Sequence, residues 1–195
     1  MIHNPELLDA LSAYSTVRFS DTVFRATRLR LDPLADSTSG GRWNIRDHDP
    51  VLYTSLEFEG ALAEISFHWS QVTPLPSKPV VVHRIQVSTE RTLRLKLCDL
   101  VELGVDFDQF ASLNYAKCQE IGAAVGFLEC DGLITPSARW DCENLVQKGS
   151  QKGSNLCLFV FFPASIIRRC SLKRATAKPS AKAQAMSSTL PVASS

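Results

Sequence analysis

The stretch SGGRWNIRDHDPVLYTS, residues 39–55, combines residue types that can bind an anionic ligand. Two adjacent glycines, Gly40 and Gly41, permit positive φ angles and a close approach of the backbone to a ligand. Arg42 follows them directly and offers a planar set of N–H donors that suits phosphate or carboxylate. Tyr53 adds an aromatic hydroxyl eleven residues later. The same pattern also fits a plain hairpin loop with a solvated arginine, so this stretch alone leaves both interpretations open.

Three further polar residues lie next to predicted strands or on a surface of small residues. Arg25 lies in a predicted strand, VFRATR, and Ser137 follows another one in TPSAR. Glu64 shares one face of a predicted helix with Gly60 and Ala61, so that a large ligand, or another helix, could come close to its carboxylate. Each residue also has a simpler interpretation, as an edge residue of a strand, a turn residue after proline or a solvated helix glutamate. Taken singly, those structural roles are the commoner ones.

The hydrophobic periodicity predicts an α+β protein, in which strands and helices mix without the regular alternation of a dinucleotide-binding fold. No Gly-x-Gly-x-x-Gly or Walker sequence is present. Asn4 and Pro5 predict the start of a first helix. The other predicted helices are 56–69 and 106–125, and the predicted strands are 23–29, 51–54, 80–87, 92–97, 132–135 and 156–162. The core side of helix 56–69 is predicted to consist of Phe58, Leu62, Ile65 and Trp69.

Composition predicts one ordinary globular domain. The chain has 195 residues, 45% of them hydrophobic and 21% charged, and a net charge of +1 gives no general case for nucleic-acid binding. No apolar run is long enough to span a membrane, and no secretory signal is evident at the N-terminus, so we expect a cytoplasmic protein. Six scattered cysteines without a Cys-x-x-Cys pair argue against a metal site. We expect a folded body over residues 1–170 and a disordered basic tail over 171–195, rich in Ala, Ser and Lys.

The pattern FR…GGRWN…VLYTS…ALAEI…GLITPSAR…NLV resembles the RES domain, over about residues 23–146. This resemblance implies a compact fold like that of ADP-ribosyltransferases, with mixed and antiparallel sheets around an NAD cleft. RES proteins are known as toxins of RES–Xre toxin–antitoxin pairs, and they degrade NAD by hydrolysis or phosphorolysis. The sequence departs from the family where QKGSQKGSN, residues 147–155, interrupts the connection to the last strand.

The resemblance assigns roles to the five residues. Arg25 and Arg42 would bind the pyrophosphate of NAD, and Tyr53 would stack on nicotinamide or hydrogen-bond the ribose. Glu64 would stabilise the positive charge that develops on the ribose, and Ser137 would orient Glu64 or the departing amide. NAD is then a substrate and no cofactor is expected, with water or inorganic phosphate as the acceptor.

The resemblance also implies a partner, an Xre-type antitoxin that covers the cleft, and it allows a homodimer within that complex. Two other functions stay open. One is the transfer of ADP-ribose to a host protein, as in mono-ADP-ribosyltransferases. The other is a non-catalytic binding module whose basic tail contacts nucleic acid or an acidic partner. Detection of a modified protein favours the first, and salt-dependent nucleic-acid binding without NAD loss favours the second.

Overall fold

The computed structural model describes residues 3–48, 50–139, 156–161 and 173–175. Within these ranges strands and helices mix, as predicted for the α+β class. The helices are α1 (Pro5–Ser12), α2 (Phe58–Ser70), α3 (Leu97–Glu102) and α4 (Ala116–Phe127). The strands are β1 (Thr16–Arg28), β2 (Val51–Ser55), β3 (Val80–Arg94), β4 (Gly132–Pro136), β5 (Leu156–Phe161) and β6 (Lys173–Ala175).

The strands form one mixed sheet in the order β1-β2-β5-β4-β3-β6, and β1 also pairs with β3. Because β3 also pairs with β1, the five strands β1, β2, β5, β4 and β3 form a closed ring. Strand β6 pairs with β3 outside this ring. The two long strands β1 and β3 run antiparallel along their whole length, from Thr16 opposite Leu93 to Arg28 opposite Val80. Only the β3–β4 pair is parallel among the described strands. The ring places the ends of β1, β2 and β4 close to one another.

Alternation along the strands divides the apolar core into two clusters, because successive strand residues point to opposite faces. The smaller cluster receives at least one buried side chain from each strand of the ring, and its members include Val23, Leu52, Ile85, Ile134 and Val160. The larger cluster takes the neighbouring strand residues, such as Leu133 and Phe159, and packs them against helices α1, α3 and α4. Helix α1 begins as predicted, since the Asn4 side chain accepts a hydrogen bond from the backbone N–H of Glu6 at 3.0 Å.

The prediction of two strands over 80–97 was wrong. One continuous strand, β3, extends to Arg94, because β1 pairs with it on both sides of a register shift between Val17 and Phe19 and so continues the strand through the stretch between the two predicted strands. The chain then enters α3 at Leu97, where the Asp99 carboxylate accepts a hydrogen bond from the backbone N–H of Lys96 at 2.6 Å.

The predicted helix over 106–125 was wrong in its first half, since α4 begins only at Ala116. The residues before it form turns in which polar side chains bond the backbone two residues on. The Asp106 carboxylate accepts from the N–H of Asp108, and the Ser112 hydroxyl accepts from the N–H of Asn114, each at 3.0 Å. Such local bonds compete with helical hydrogen bonds.

Part of the predicted C-terminal tail lies outside the described residues, as do residues 147–154 and the predicted boundary at residue 170. Within the tail, Lys173–Ala175 forms β6, which pairs antiparallel with Val82–Arg84 of β3. Among the described helices, none has the length and apolar character that crossing a membrane requires.

Candidate active site

One cleft of about 420 Å³ opens where β1, β2 and β4 end beside α2. Its volume lies within the range of small-molecule sites, roughly 300–1,000 Å³. All five residues singled out in the sequence line this cleft, although they lie far apart in the chain: Arg25, Arg42, Tyr53, Glu64 and Ser137. Residues that the sequence did not single out line it too, among them Arg28, His68, Tyr115 and Arg139.

Glu64 and Ser137 form a hydrogen-bonded pair inside the cleft. Helix α2 carries Glu64, and the segment after β4 carries Ser137, whose hydroxyl donates to Glu64 Oε1 at 3.2 Å. Ser137 is 2% exposed, and its Oγ also accepts the backbone N–H of Arg139 at 3.1 Å. Among the described lining residues, Glu64 is the single carboxylate. The serine therefore fixes the direction of the one negative charge in the cleft.

The glycine loop is tied down by Tyr53. The hydroxyl of Tyr53 donates to Asn44 Oδ1 at 2.7 Å and accepts the backbone N–H of Trp43 at 3.0 Å. Gly40 has a φ of 85°, and a Cβ on Gly41 would lie 2.4 Å from the Tyr53 hydroxyl oxygen. Burial raises the pKa of Tyr53, so the hydroxyl keeps its proton and its donor role. The two glycines thus allow the loop to close over a buried tyrosine hydroxyl.

Helix α4 supports the same loop from the other side. The Gln119 side-chain amide donates to the carbonyl of Gly41 at 2.9 Å. A Cβ on Gly122 would lie 1.9 Å from the carbonyl oxygen of Trp43, so the helix backbone touches the loop backbone directly. The sequence offered no signal for either contact, because each joins segments about 80 residues apart.

Arg42 is buried and donates to the backbone. Its Nη1 donates to the carbonyl of Phe110 at 2.6 Å, and its Nη2 donates to the carbonyl of Ser112 at 3.2 Å. The guanidinium also lies 4.5 Å from the centre of the Tyr115 ring. Arg42 is thereby held at the cleft wall by the turns that precede α4.

Arg25 is held in a similar way from β1. Its Nη1 donates to the carbonyls of Pro33 at 2.9 Å and Ala35 at 2.6 Å. Burial lowers the pKa of the Arg25 guanidinium, and the nearby carboxylates of Asp32 and Asp36 oppose that shift. These bonds fix Arg25 in the cleft wall. Its Nη2 and Nε–H groups donate to none of the described residues.

Arg139, the last residue of the PSAR sequence, was missed as a candidate. Its guanidinium donates to the carbonyls of Ala111 and Ser112 and, at 3.3 Å, to the hydroxyl of Tyr115. It also lies 3.4 Å from the centre of the Phe67 ring on α2. The only sequence signal was its position two residues after Ser137.

The predicted core side of α2 was wrong. Phe58, Leu62, Ile65 and Trp69 are only partly buried, whereas the buried residues of the helix are Gly60 and Ala61. Helix α2 packs closely through its small residues, and Ile65 and Trp69 contribute apolar surface to the cleft instead. Ring systems of a ligand can bind against such surface. Among the described residues, no three His, Cys, Asp or Glu side chains are grouped as metal ligands.

Comparison with known proteins gives a family match. A family model described as the RES domain matches residues 22–164. The NAD(+) phosphorylase MbcT of Mycobacterium tuberculosis is 25% identical over 140 residues, which cover 68% of this chain and 75% of that protein. The protein of the same name from Mycobacterium bovis matches equally.

A solved structure has the same fold. The crystal structure of the Mycobacterium tuberculosis MbcT–MbcA toxin–antitoxin complex superposes with a TM-score of 0.69 at 18% identity, covering 95% of this chain and 99% of that one. At this identity the likeness concerns the fold alone. The family match spans most of the chain, including the strands and the helix that form the cleft. The chain therefore belongs to the RES domain family.

Proposed function

We propose that this protein degrades NAD by breaking the bond between nicotinamide and ribose, and that NAD is its substrate and not a recycled cofactor. The observation that carries the proposal is the Glu64–Ser137 pair in a cleft lined by arginines. The relatives named NAD(+) phosphorylase support the same activity.

Glu64 is the residue we assign to the chemical step. Cleavage of a glycosidic bond develops oxocarbenium character on the sugar, and a fixed carboxylate stabilises that cation. Ser137 keeps the Glu64 carboxylate in one orientation, so little reorganisation is needed when charge develops. The electron pair of the broken bond passes to the nicotinamide nitrogen, which becomes neutral as it leaves.

Arg25 and Arg42 are the residues we assign to the pyrophosphate of NAD. Both guanidiniums line the cleft, and each spends only part of its five N–H donors on backbone carbonyls. Charge-assisted bonds from the remaining donors suit a diphosphate. Tyr53 contributes its ring to the cleft wall, while its hydroxyl holds the loop that carries Arg42.

For the acceptor we favour inorganic phosphate over water, because the relatives are named as phosphorylases. No metal is assigned to the reaction, since Glu64 can stabilise the developing cation and the arginines can bind the diphosphate. The expected products are nicotinamide and ADP-ribose carrying a phosphate on the anomeric carbon.

The biological role that we propose is that of a toxin held inactive by an antitoxin. The solved relative is a toxin–antitoxin complex. A partner of the Xre type that covers the cleft would block NAD directly. Expression of the chain alone should arrest bacterial growth and deplete NAD, and co-expression with its partner should relieve both effects. Normal growth with normal NAD at high expression would contradict this role.

The decisive experiment incubates the purified protein with NAD, with and without inorganic phosphate, and identifies the products by chromatography and mass spectrometry. Loss of NAD in either condition supports the activity, and the product shows the acceptor. Intact NAD in both conditions would refute the proposal. A radiolabelled protein band from labelled NAD would instead favour ADP-ribosyl transfer to a protein.

A further inference from the structure

Arg42 and Arg139 converge although they lie far apart in the chain. The Nη2 atoms of both residues donate to one carbonyl oxygen, that of Ser112, at 3.2 and 3.4 Å. Tyr115 joins them as well, since its ring lies under the guanidinium of Arg42 and its hydroxyl accepts from Arg139. Two positive guanidinium groups are thus held within hydrogen-bond distance of the same carbonyl oxygen.

No carboxylate neutralises this pair among the described residues. The salt bridges there involve Arg18, Arg91 and Lys117, each with a glutamate outside the cleft wall. Two guanidiniums at such close range repel each other, and the repulsion is relieved when an anion binds between them or beside them. The two arginines therefore form a site that suits a small oxyanion.

Arg139 is also connected to Glu64 in two ways. Its backbone N–H donates to Ser137 Oγ, which in turn donates to Glu64. Its guanidinium stacks on Phe67, which follows Glu64 by three residues on α2 and so lies on the neighbouring helix surface. An anion on Arg139 is consequently near the carboxylate that we assign to the reacting sugar.

We propose, resting on the NAD-degrading function above, that Arg139 and Tyr115, beside Arg42, bind the inorganic phosphate that accepts the ADP-ribosyl group. A phosphate oxygen forms the new bond to the anomeric carbon while the bond to the nicotinamide nitrogen breaks. Hydrogen phosphate carries two negative charges, and the nicotinamide ring carries one positive charge. The new phosphate ester group carries one negative charge and the nicotinamide leaves neutral, so the step balances without a general base.

Arg25 and Arg42, which we assign to the pyrophosphate of NAD, make it unnecessary for Arg139 to bind that group. Arg25 and Arg28 lie on β1 in another wall of the cleft, and Arg28 is exposed with no ion pair among the described residues. The cleft thus offers two binding positions for phosphate groups, one for the diphosphate of the substrate and one for the free phosphate that acts as acceptor. Arg139 belongs to the second position because of its links to Glu64.

The test measures the Michaelis constants for inorganic phosphate and for NAD in Arg139→Gln, Arg139→Lys and a surface control, Arg18→Gln. Arg139→Gln removes a charge-assisted fork, so the KM for phosphate should rise about tenfold or more, with a smaller change in the KM for NAD. Arg139→Lys keeps the charge and loses the fork, so an intermediate value is expected. Arg18 is 82% exposed and outside the cleft, and its substitution should leave both constants within twofold. Melting curves check that each variant is folded.

Titration of the protein with inorganic phosphate alone, by calorimetry, separates this inference from the proposed function. If the wild type consumes NAD at the same rate without phosphate, or if folded Arg139→Gln keeps the wild-type KM for phosphate, the acceptor site is refuted while NAD degradation stands. If the KM for NAD rises and that for phosphate does not, Arg139 binds the pyrophosphate and the inference is wrong. If no NAD is consumed, the proposed function and the acceptor role fall together. Calorimetry then decides whether an anion site exists at all.

Discussion

Tyr53→Phe separates two roles that the tyrosine could have, an anchor for the glycine loop or a hydroxyl that contacts the substrate. The substitution removes one oxygen atom and keeps the ring that lines the cleft. The lost hydroxyl donates to Asn44 Oδ1 and accepts from the N–H of Trp43. If the hydroxyl anchors the loop, its removal should clearly lower the free energy of unfolding and lower the rate of NAD turnover much less.

The magnitude follows from these two hydrogen bonds. Each intramolecular hydrogen bond contributes about 1 kcal/mol net, and a buried donor left without an acceptor costs about 1–3 kcal/mol. Trp43 is 1% exposed, so water has little access to the loop backbone there. We expect the free energy of unfolding to fall by about 2 kcal/mol, which for a domain of this size corresponds to roughly 4–8 °C in Tm.

The assay is reversible denaturant unfolding of Tyr53→Phe beside a matched control, Tyr14→Phe. The hydroxyl of Tyr14 has no hydrogen-bond partner among the described residues, so the control should change stability by less than about 0.5 kcal/mol. NAD turnover of Tyr53→Phe, measured well below its Tm, should fall less than tenfold. Unchanged stability together with a loss of turnover of a hundredfold or more would refute the anchor role and favour direct contact with the substrate.

The ionisation of Tyr53 adds a dependence on pH. Burial raises its pKa above the ordinary value of 10.0, so the folded state holds the proton more tightly than the unfolded state does. The stability that this provides is complete below pH 10 and is lost as the pH rises above it. The wild type should therefore lose more stability than Tyr53→Phe above pH 10, and parallel curves for the two proteins would contradict this sign.

Three further predictions concern the site and its supports. Glu64→Gln should lower the rate of NAD loss on the order of 10²–10³-fold with little change in Tm, whereas Glu59→Gln, an exposed control on the same helix, should leave the rate near that of the wild type. Gly122→Ala should destabilise the fold by about 1–3 kcal/mol, measured by denaturant unfolding, because the new Cβ meets the Trp43 carbonyl and α4 must move away from the loop. A chain ending at residue 175 should melt at the wild-type temperature, while one ending at 170 should melt lower because it lacks β6; equal values for both truncations would mean that β6 adds no stability.

The sequence patterns and the family resemblance pointed to five residues that line one cleft, but not to the contacts that hold them there. Arg25, Glu64 and Ser137 were selected from local patterns, and the closed sheet brings them to one cleft. The bonds of Arg42 could not be predicted, since its carbonyl partners lie 68 and 70 residues further along the chain. Arg139 was missed for the same reason, because its contacts are with segments that lie far from it in the sequence.

Errors in the predicted elements also have physical causes. The stretch 106–115 has the apolar spacing of a helix, but Asp106 and Ser112 bond the backbone locally and keep it in turns. That difference matters for the site, because the turns expose the carbonyls of 110–112 that a helix would use internally. The two arginines bond these same carbonyls.

Backbone carbonyls are well suited to hold cations that must remain available to an anion. A carboxylate partner would fix Arg42 or Arg139 equally well, but it would also cancel the charge and compete with a phosphate for the same donors. A carbonyl is a neutral dipole, so it orients the guanidinium and leaves the full positive charge in the cleft. The turns before α4 thus keep two arginines in place before any ligand arrives, and the entropy of ordering these long side chains is lost during folding instead of during binding. Replacing the carbonyl contacts by an engineered ion pair should accordingly stabilise the arginines and weaken phosphate binding at the same time.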